Sequence, residues 1–144
     1  MREIIHLVDS GYDKYSAVAN PSETATETPA FTLQVLTPQW ARERGMAHEL
    51  KTDQEFKIRL EFAIDLPEGS IEVAVVNHYS FPDAPGAGFI VTPEWVRKYF
   101  NEVAVADFIA PLRIGVADLA MKVLDAKILM PALRVGDLVF DPSD

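Results

Sequence analysis

The sequence predicts an α+β fold built on an antiparallel sheet, and three observations carry that reading. Phe56, Ile58, Leu60, Phe62 and Ile64 alternate with Lys57, Arg59, Glu61, Ala63 and Asp65. Ile71, Val73, Val75, Tyr79 and Phe81 alternate likewise with Glu72, Ala74, Val76, His78 and Ser80, and Leu66-Pro67-Glu68-Gly69-Ser70 joins the two runs. Period-2 alternation on both sides of turn residues is a hairpin with one apolar face. Finally, strand-like runs fill the first part of the chain and helical spacing the last, the order expected of α+β rather than of alternating parallel units.

The elements follow in order. Ile4 to Val8 is a short apolar run, Asp9-Ser10-Gly11 a bulge or turn, and Tyr12 to Val18 a resumption of the strand. Ala19 to Pro29 contains no large apolar residue and reads as a loop. Phe31, Leu33 and Val35 alternate as a further strand. Thr37-Pro38-Gln39-Trp40 has the chemistry of a helix start, with Thr37 as N-cap and Pro38 at the first helical position, and Gly45 is placed to close the helix. The same lettering returns at Thr92-Pro93-Glu94-Trp95, the reuse of a good helix start. Pro82 to Gly88 is a turn, and Phe89-Ile90-Val91 reads as the last strand of the block. Trp95, Tyr99 and Val103, with Val96 and Phe100, then repeat at helical spacing. Pro111 marks a break or a new start near Ala110. A second helix is expected with Ile114, Ala117, Leu119, Met121 and Leu124 largely on one side. Ala126 to Met130 is extended, Pro131 interrupts it, and Leu133 to Phe140 is a final short element.

Composition narrows the function. At 144 residues and 49% hydrophobic the chain is expected to form one domain, residues 1–144, with a substantial core. Its formal charge of −9 argues against nucleic acid, whose phosphates reward a basic surface. The absence of cysteine excludes disulfides, thiol catalysis and thiolate-bound metal. The N-terminal apolar run is broken by Asp9 too early for a signal peptide, and no run approaches the ~20 apolar residues of a membrane span. The expectation is a soluble protein inside the cell.

No catalytic constellation emerges. His6, His48 and His78 lie in three separate segments, although His6 and His78 would be neighbours if their strands pair; ordinary structural histidines are the better account. There is no Gly-x-Ser-x-Gly, and Gly86-Ala87-Gly88 precedes a strand instead of a helix, so it cannot cradle phosphate. Asp65 and Glu68 belong to a turn. No enzyme, metal or cofactor is expected. Two features point to binding instead. Phe81, Phe89, Trp95, Tyr99 and Phe100 cluster where the sheet meets the first helix, as a core or as an apolar groove for extended segments of other chains. Met121 and Met130 would let such a surface adapt. Glu61, Asp65 and Glu72 point away from the apolar face of the hairpin, as its solvated side or as a dock for a basic partner.

The run Glu-Phe-Lys-Ile-Arg-Leu-Glu-Phe-Ala-Ile-Asp-Leu-Pro-Glu-Gly-Ser-Ile-Glu-Val from Glu55 resembles the SecB export-chaperone family. So do Phe108-Ile-Ala-Pro-Leu-Arg-Ile, Val116-Ala-Asp-Leu, Ile128-Leu-Met-Pro and the closing Gly136-Asp-Leu-Val-Phe. The resemblance implies a four-stranded antiparallel sheet with C-terminal helices packed on one face, and assembly as a dimer of dimers. It implies a cytoplasmic, nucleotide-independent holdase whose clients are unfolded or extended polypeptides. Their groove would be lined by Phe81, Phe89, Trp95, Tyr99, Phe100 and Leu112. It also implies transfer of clients to the SecA motor, docked on acidic residues of the outer sheet face, with no direct insertion into membrane. Three departures qualify this. Ala110-Pro111-Leu112 replaces an aromatic helix start, the terminal helix is cut short at Asp141-Pro142-Ser143-Asp144, and Lys14 and Val18 occupy first-strand positions expected to be acidic. Glu72 alone falls on a matching acidic position. A SecB-like interaction module, or a toxin–antitoxin chaperone serving one dedicated partner, fits the same residues.

Overall fold

The computed structural model describes residues 5–19, 29–46, 48, 50, 54–80 and 91–124. Four strands form one antiparallel sheet in the order β1-β4-β3-β2. They are β1 (His6–Ala19), β2 (Ala30–Leu36), β3 (Glu55–Leu66) and β4 (Gly69–Ser80). The expected hairpin is β3–β4, paired from Glu55↔Ser80 to Leu66↔Gly69, so only Pro67 and Glu68 lie outside the ladder. Alternation dictates its faces. Phe56, Ile58, Leu60, Ile71, Val73 and Val75 are buried on one side, while Lys57, Arg59, Glu61, Glu72 and Val76 reach the other. The positions of β1 and β2 put the longest and the shortest strand at the two edges.

β1 is one strand, not two. It pairs with β4 along its whole length, and the irregularity foreseen at Asp9–Gly11 occurs as two register shifts, between Leu7 and Asp9 and between Tyr12 and Lys14. The second shift puts both Asp13 and Lys14 against groups of the outer face. At the far end of the ladder Gly69 sits opposite Ala19 with φ of 154°, and a Cβ there would lie 2.1 Å from the Val18 carbonyl oxygen. Only glycine allows the edge strand to close over the hairpin turn.

Both helix starts form as expected. Thr37 Oγ1 accepts from the Trp40 amide at 3.4 Å and opens α1 (Pro38–Glu43); Thr92 Oγ1 accepts from the Trp95 amide at 3.1 Å and opens α2 (Pro93–Tyr99). Gly45, at φ 69°, ends α1 while Met46 donates back to the Ala41 carbonyl. Phe89 and Ile90 lie outside the described residues; Val91 is buried and belongs to no strand.

The expected break at Pro111 is overturned. α2 passes through a π-helical turn (Phe100–Ala104) into α3 (Val105–Leu119) and a second π turn (Ala120–Leu124), with Pro111 inside α3. Proline in a helix interior costs about 3 kcal/mol. The helix continues because Val105, Phe108, Leu112, Val116 and Leu119 are buried at helical spacing. The Pro111 carbonyl is also engaged, accepting from the Tyr12 hydroxyl at 2.8 Å. The buried stripe differs from the one expected. Leu119 and Leu124 are buried, but Ile114 and Met121 are 65% and 51% exposed. Residue 114 stands roughly 200° around the helix from residue 112, which faces the sheet. α3 comes close because Gly115 has no side chain: a Cβ would lie 3.0 Å from the Tyr15 ring and 3.1 Å from Val73.

Between the helices and the sheet runs a polar chain that is buried at its centre, Asn77 and Tyr79, and reaches solvent at Ser10. Ser10 donates to Asn77 Oδ1 at 2.5 Å, Asn77 Nδ2 to the Tyr79 hydroxyl at 3.2 Å, and Tyr79 to Asp107 at 3.0 Å. Asn77 is fully buried, so these bonds satisfy groups that would otherwise be desolvated without compensation. Burial, then the nearby Asp107 carboxylate, pushes the Tyr79 phenol far up and keeps it a donor.

Candidate functional site

Of the aromatic residues singled out from the sequence, Trp95, Tyr99 and Phe100 are found in packed aromatic contacts. Phe56 stacks on Tyr79 at 5.3 Å and meets Trp95 and Tyr99 edge-on at 5.7 and 5.9 Å. Trp95 and Tyr99 stack in parallel at 5.6 Å, and Phe100 packs against Phe108 at 5.4 Å. Tyr99 is 7% exposed, Phe100 fully buried and Leu112 1% exposed; Trp95 is half-buried. Phe81 and Phe89 lie outside the described residues, as does Met130. Phe100 and Leu112 are thus core residues of this chain, shielded from any incoming segment.

An open groove does exist, elsewhere. A concavity of about 510 Å³ follows the β2 edge and is lined from both sheet faces: Gln34 and Leu36 with Lys57, Arg59 and Val76 on the outer face, Leu33 and Val35 with Arg97 of α2 on the helix side. Leu33, Val35, Leu36, Trp40 and Met46 supply its apolar lining. α1 explains how this is built: its Thr37 cap and Pro38 start turn the chain at the end of β2 and set Trp40 beside the strand it has just left. Arg44 lies over the Trp40 ring at 4.4 Å. Four consecutive β2 residues, Leu33 to Leu36, line the groove, so it follows the strand itself. Among the described residues β2 pairs with β3 alone, and its other edge offers backbone N–H and C=O groups.

Lys57, Arg59, Arg97 and Asp13 are the charged lining. Arg59 is held in place. Its Nε donates to Asp13 at 2.6 Å and its Nη2 to Glu61 at 3.0 Å, while Nη1 makes only a long 3.4 Å contact with Gln34 Oε1. Burial opposes the charge, but the bonds to Asp13 and Glu61 more than offset it and the guanidinium is held above its ordinary range. The sequence reading missed this site. The signal for it was the consecutive apolar pair Val35-Leu36 at a strand end, breaking the alternation just before a capped helix with a tryptophan.

Glu61, Asp65 and Glu72 lie on the face away from the helices, and two of the three are compensated. Glu72 pairs with Lys14, and Glu61 lies between Arg59 and Lys14, at 3.0 and 3.9 Å. The hydrogen bond to Glu72 raises the Lys14 ammonium. Asp65 is exposed. Pairs this exposed are screened by solvent and add little to stability, but they do neutralise the face.

β1 carries a second feature absent from the sequence reading. Leu7, Val8, Tyr12, Tyr15 and Val18 are 40–56% exposed along this edge strand, and Ile114 on α3 is 65% exposed. Tyr12 and Tyr15 meet edge-to-face at 4.9 Å over Gly115, and the Tyr15 hydroxyl donates to Asp118 at 2.5 Å. Desolvation first, then that hydrogen bond, pushes the Tyr15 phenol up to about 12.

The histidines do not converge on a metal site. His6 faces Ser80 and His78 faces Asp9 in the β1–β4 ladder. His78 Nε2 lies 2.8 Å from Glu55, near enough for an ion pair but out of line for a hydrogen bond. Among the described residues no group of three or more histidine or carboxylate side chains is placed to hold a metal ion. No helix among them is long and apolar enough to cross a membrane.

No family model and no curated protein matches the chain. Its fold matches that of a SecB-like chaperone of Mycobacterium tuberculosis (Rv1957), solved in complex with a ChAD peptide from the Rv1956 HigA1 antitoxin. The TM-score is 0.70 over 92% of this chain and 90% of the other, at 12% sequence identity. The chain therefore has the fold of a SecB-like chaperone, a four-stranded antiparallel sheet with the C-terminal helix packed against it.

Proposed function

We propose that this protein is a SecB-like, nucleotide-independent chaperone that holds extended segments of other polypeptides, as a single domain and without catalysis. The observation that carries the reading is the open groove along β2, which joins an apolar floor to a strand edge that no other strand pairs among the described residues. An extended segment laid beside β2 gains main-chain hydrogen bonds from the edge, while alternate side chains enter the floor around Val35, Trp40 and Met46. At about 25 cal/mol per Å² of apolar area, several shallow contacts suffice for micromolar binding after ordering costs. In this reading the client groove lies along the β2 edge, with the aromatic cluster of Trp95, Tyr99 and Phe100 as the support that sets α2 beside it.

Between a general holdase and the servant of one dedicated partner, two observations favour the second. The structural neighbour is bound to a peptide from an antitoxin. The acidic outer face, where a motor such as SecA would dock, has Glu61 and Glu72 already ion-paired. Exposed Leu7, Val8, Tyr12 and Tyr15 on β1 suit an interface between copies, consistent with a dimer of dimers.

Suppression of aggregation tests the reading. Several chemically unfolded proteins are diluted into increasing amounts of the chaperone without nucleotide. Stoichiometric suppression, weakened by Trp40→Ala with the fold intact, supports client holding. If unrelated clients aggregate undisturbed but one co-encoded protein is protected, the dedicated reading stands. If Trp40→Ala leaves protection unchanged, the groove is not the site.

A further inference from the structure

The charge of the groove opposes that of the chain. The formal net charge is −9, yet the lining gathers three cations, Lys57, Arg59 and Arg97, against Asp13, with Glu61 beside it on Arg59. The cations come from two separate elements, β3 and α2, so the excess is not one strand's solvated side. Lys57 and Arg59 are alternate residues of β3, opposite Leu36 and Gln34 of β2. Their separation along the strand is about 6.8 Å, the repeat at which an extended peptide presents side chains on one face.

Resting on the client-groove reading above, we infer that the preferred occupant is an extended, acidic segment of a partner protein, with Asp or Glu alternating with apolar residues. Apolar side chains enter beside Val35, Trp40 and Met46. Carboxylates on the other face of the segment meet Lys57 and Arg59, and one toward α2 meets Arg97. Arg59 is prepared for this role. Asp13 and Glu61 hold its Nε and Nη2, and the long contact from Nη1 to Gln34 is the one an incoming carboxylate displaces. Elsewhere the acidic surface of the chaperone repels such a segment, so selectivity is confined to the groove.

Three fluorescein-labelled probes test this against the full-length protein, each about as long as the seven residues of β2. All alternate Leu and Val with a second residue, which is Glu, Gln or Lys. By fluorescence anisotropy the Glu probe is expected to bind about tenfold more tightly than the Gln probe, and the Lys probe most weakly. That preference should shrink as salt rises from about 0.05 to about 0.5 M. Arg97→Glu, at a half-buried position of α2, should remove most of the preference while circular dichroism stays unchanged; Arg97→Gln should remove part of it. Equal binding of all three probes overturns the charge inference but leaves the client groove standing. Binding of none overturns the groove reading itself. If Arg97→Glu alters the oligomeric state instead of the probe preference, the groove is occupied by a second copy and the inference fails.

Discussion

Phe100→Ala separates a core role from a client-contact role for the aromatic cluster. Phe100 is fully buried at the start of the first π turn, its ring 5.4 Å from that of Phe108 at 55°. Truncating a buried phenylalanine costs about 3–5 kcal/mol, as lost transfer energy plus an unfilled cavity. Of this, the tilted ring pair accounts for about 0.5–1.5 kcal/mol. The neighbours cannot close the gap easily: Val105, Phe108 and Ala104 are held on the same rigid run from α2 into α3. For a chain of this size each kcal/mol lowers Tm by roughly 2–4 °C, so a fall of about 6–20 °C is expected. Urea unfolding followed by the fluorescence of Trp40 and Trp95 measures the loss directly. A destabilisation under about 1 kcal/mol accompanied by a large loss of client binding would refute the packing argument. It would return Phe100 to an open surface.

Further outcomes follow from the same geometry. Gly69→Ala forces a Cβ toward the Val18 carbonyl at a φ few other residues adopt, and should cost about 2–3 kcal/mol in urea titrations; an unchanged midpoint would mean that β1 does not close on the turn there. The Tyr15 phenol ionises at 10.0 when unfolded but at about 12 in the fold, so its contribution is intact below pH 10 and is lost as pH rises through 12. Phenolate absorbance should show a tyrosine titrating near pH 12, ahead of the still later Tyr79, that Tyr15→Phe removes; survival of that step in the variant contradicts the assignment. On the acid side, the hydrogen bond from Tyr15, then Lys122, lowers Asp118, so its contribution is present above 3.8 and disappears as pH falls through the lowered value. Acid melts of the Asp118→Asn variant should lose that part of the pH dependence. Light scattering after size exclusion should find an oligomer that Val8→Lys with Tyr12→Lys weakens, and a monomeric parent protein would leave the β1 surface unexplained.

Local pattern made the hairpin and both helix starts legible. Alternation places every second residue of β3 and β4 on the buried side, and Thr-Pro at a helix start works through neighbouring backbone groups. What depended on the third dimension was not legible. Phe100 and Leu112 have the composition of groove residues, and only the path of α2 and α3 over the sheet makes them core. Pro111 reads as a helix breaker because a local rule cannot weigh burial of Phe108, Leu112 and Val116 on β4. The groove draws on all four strands, α1 and α2, so no window of sequence contains it. Arg59 and Lys57 looked like the polar half of an alternating strand, which they are; their convergence with Arg97 comes from packing alone.

Amide hydrogen exchange across β2 tests the central claim most directly. The account predicts that adding an unfolded client, without nucleotide, slows exchange of the outward amides between Ala30 and Leu36 and around Trp40, while the buried β3–β4 ladder is unaffected. Client binding with β2 exchanging as fast as before, and protection confined to other segments, would contradict it.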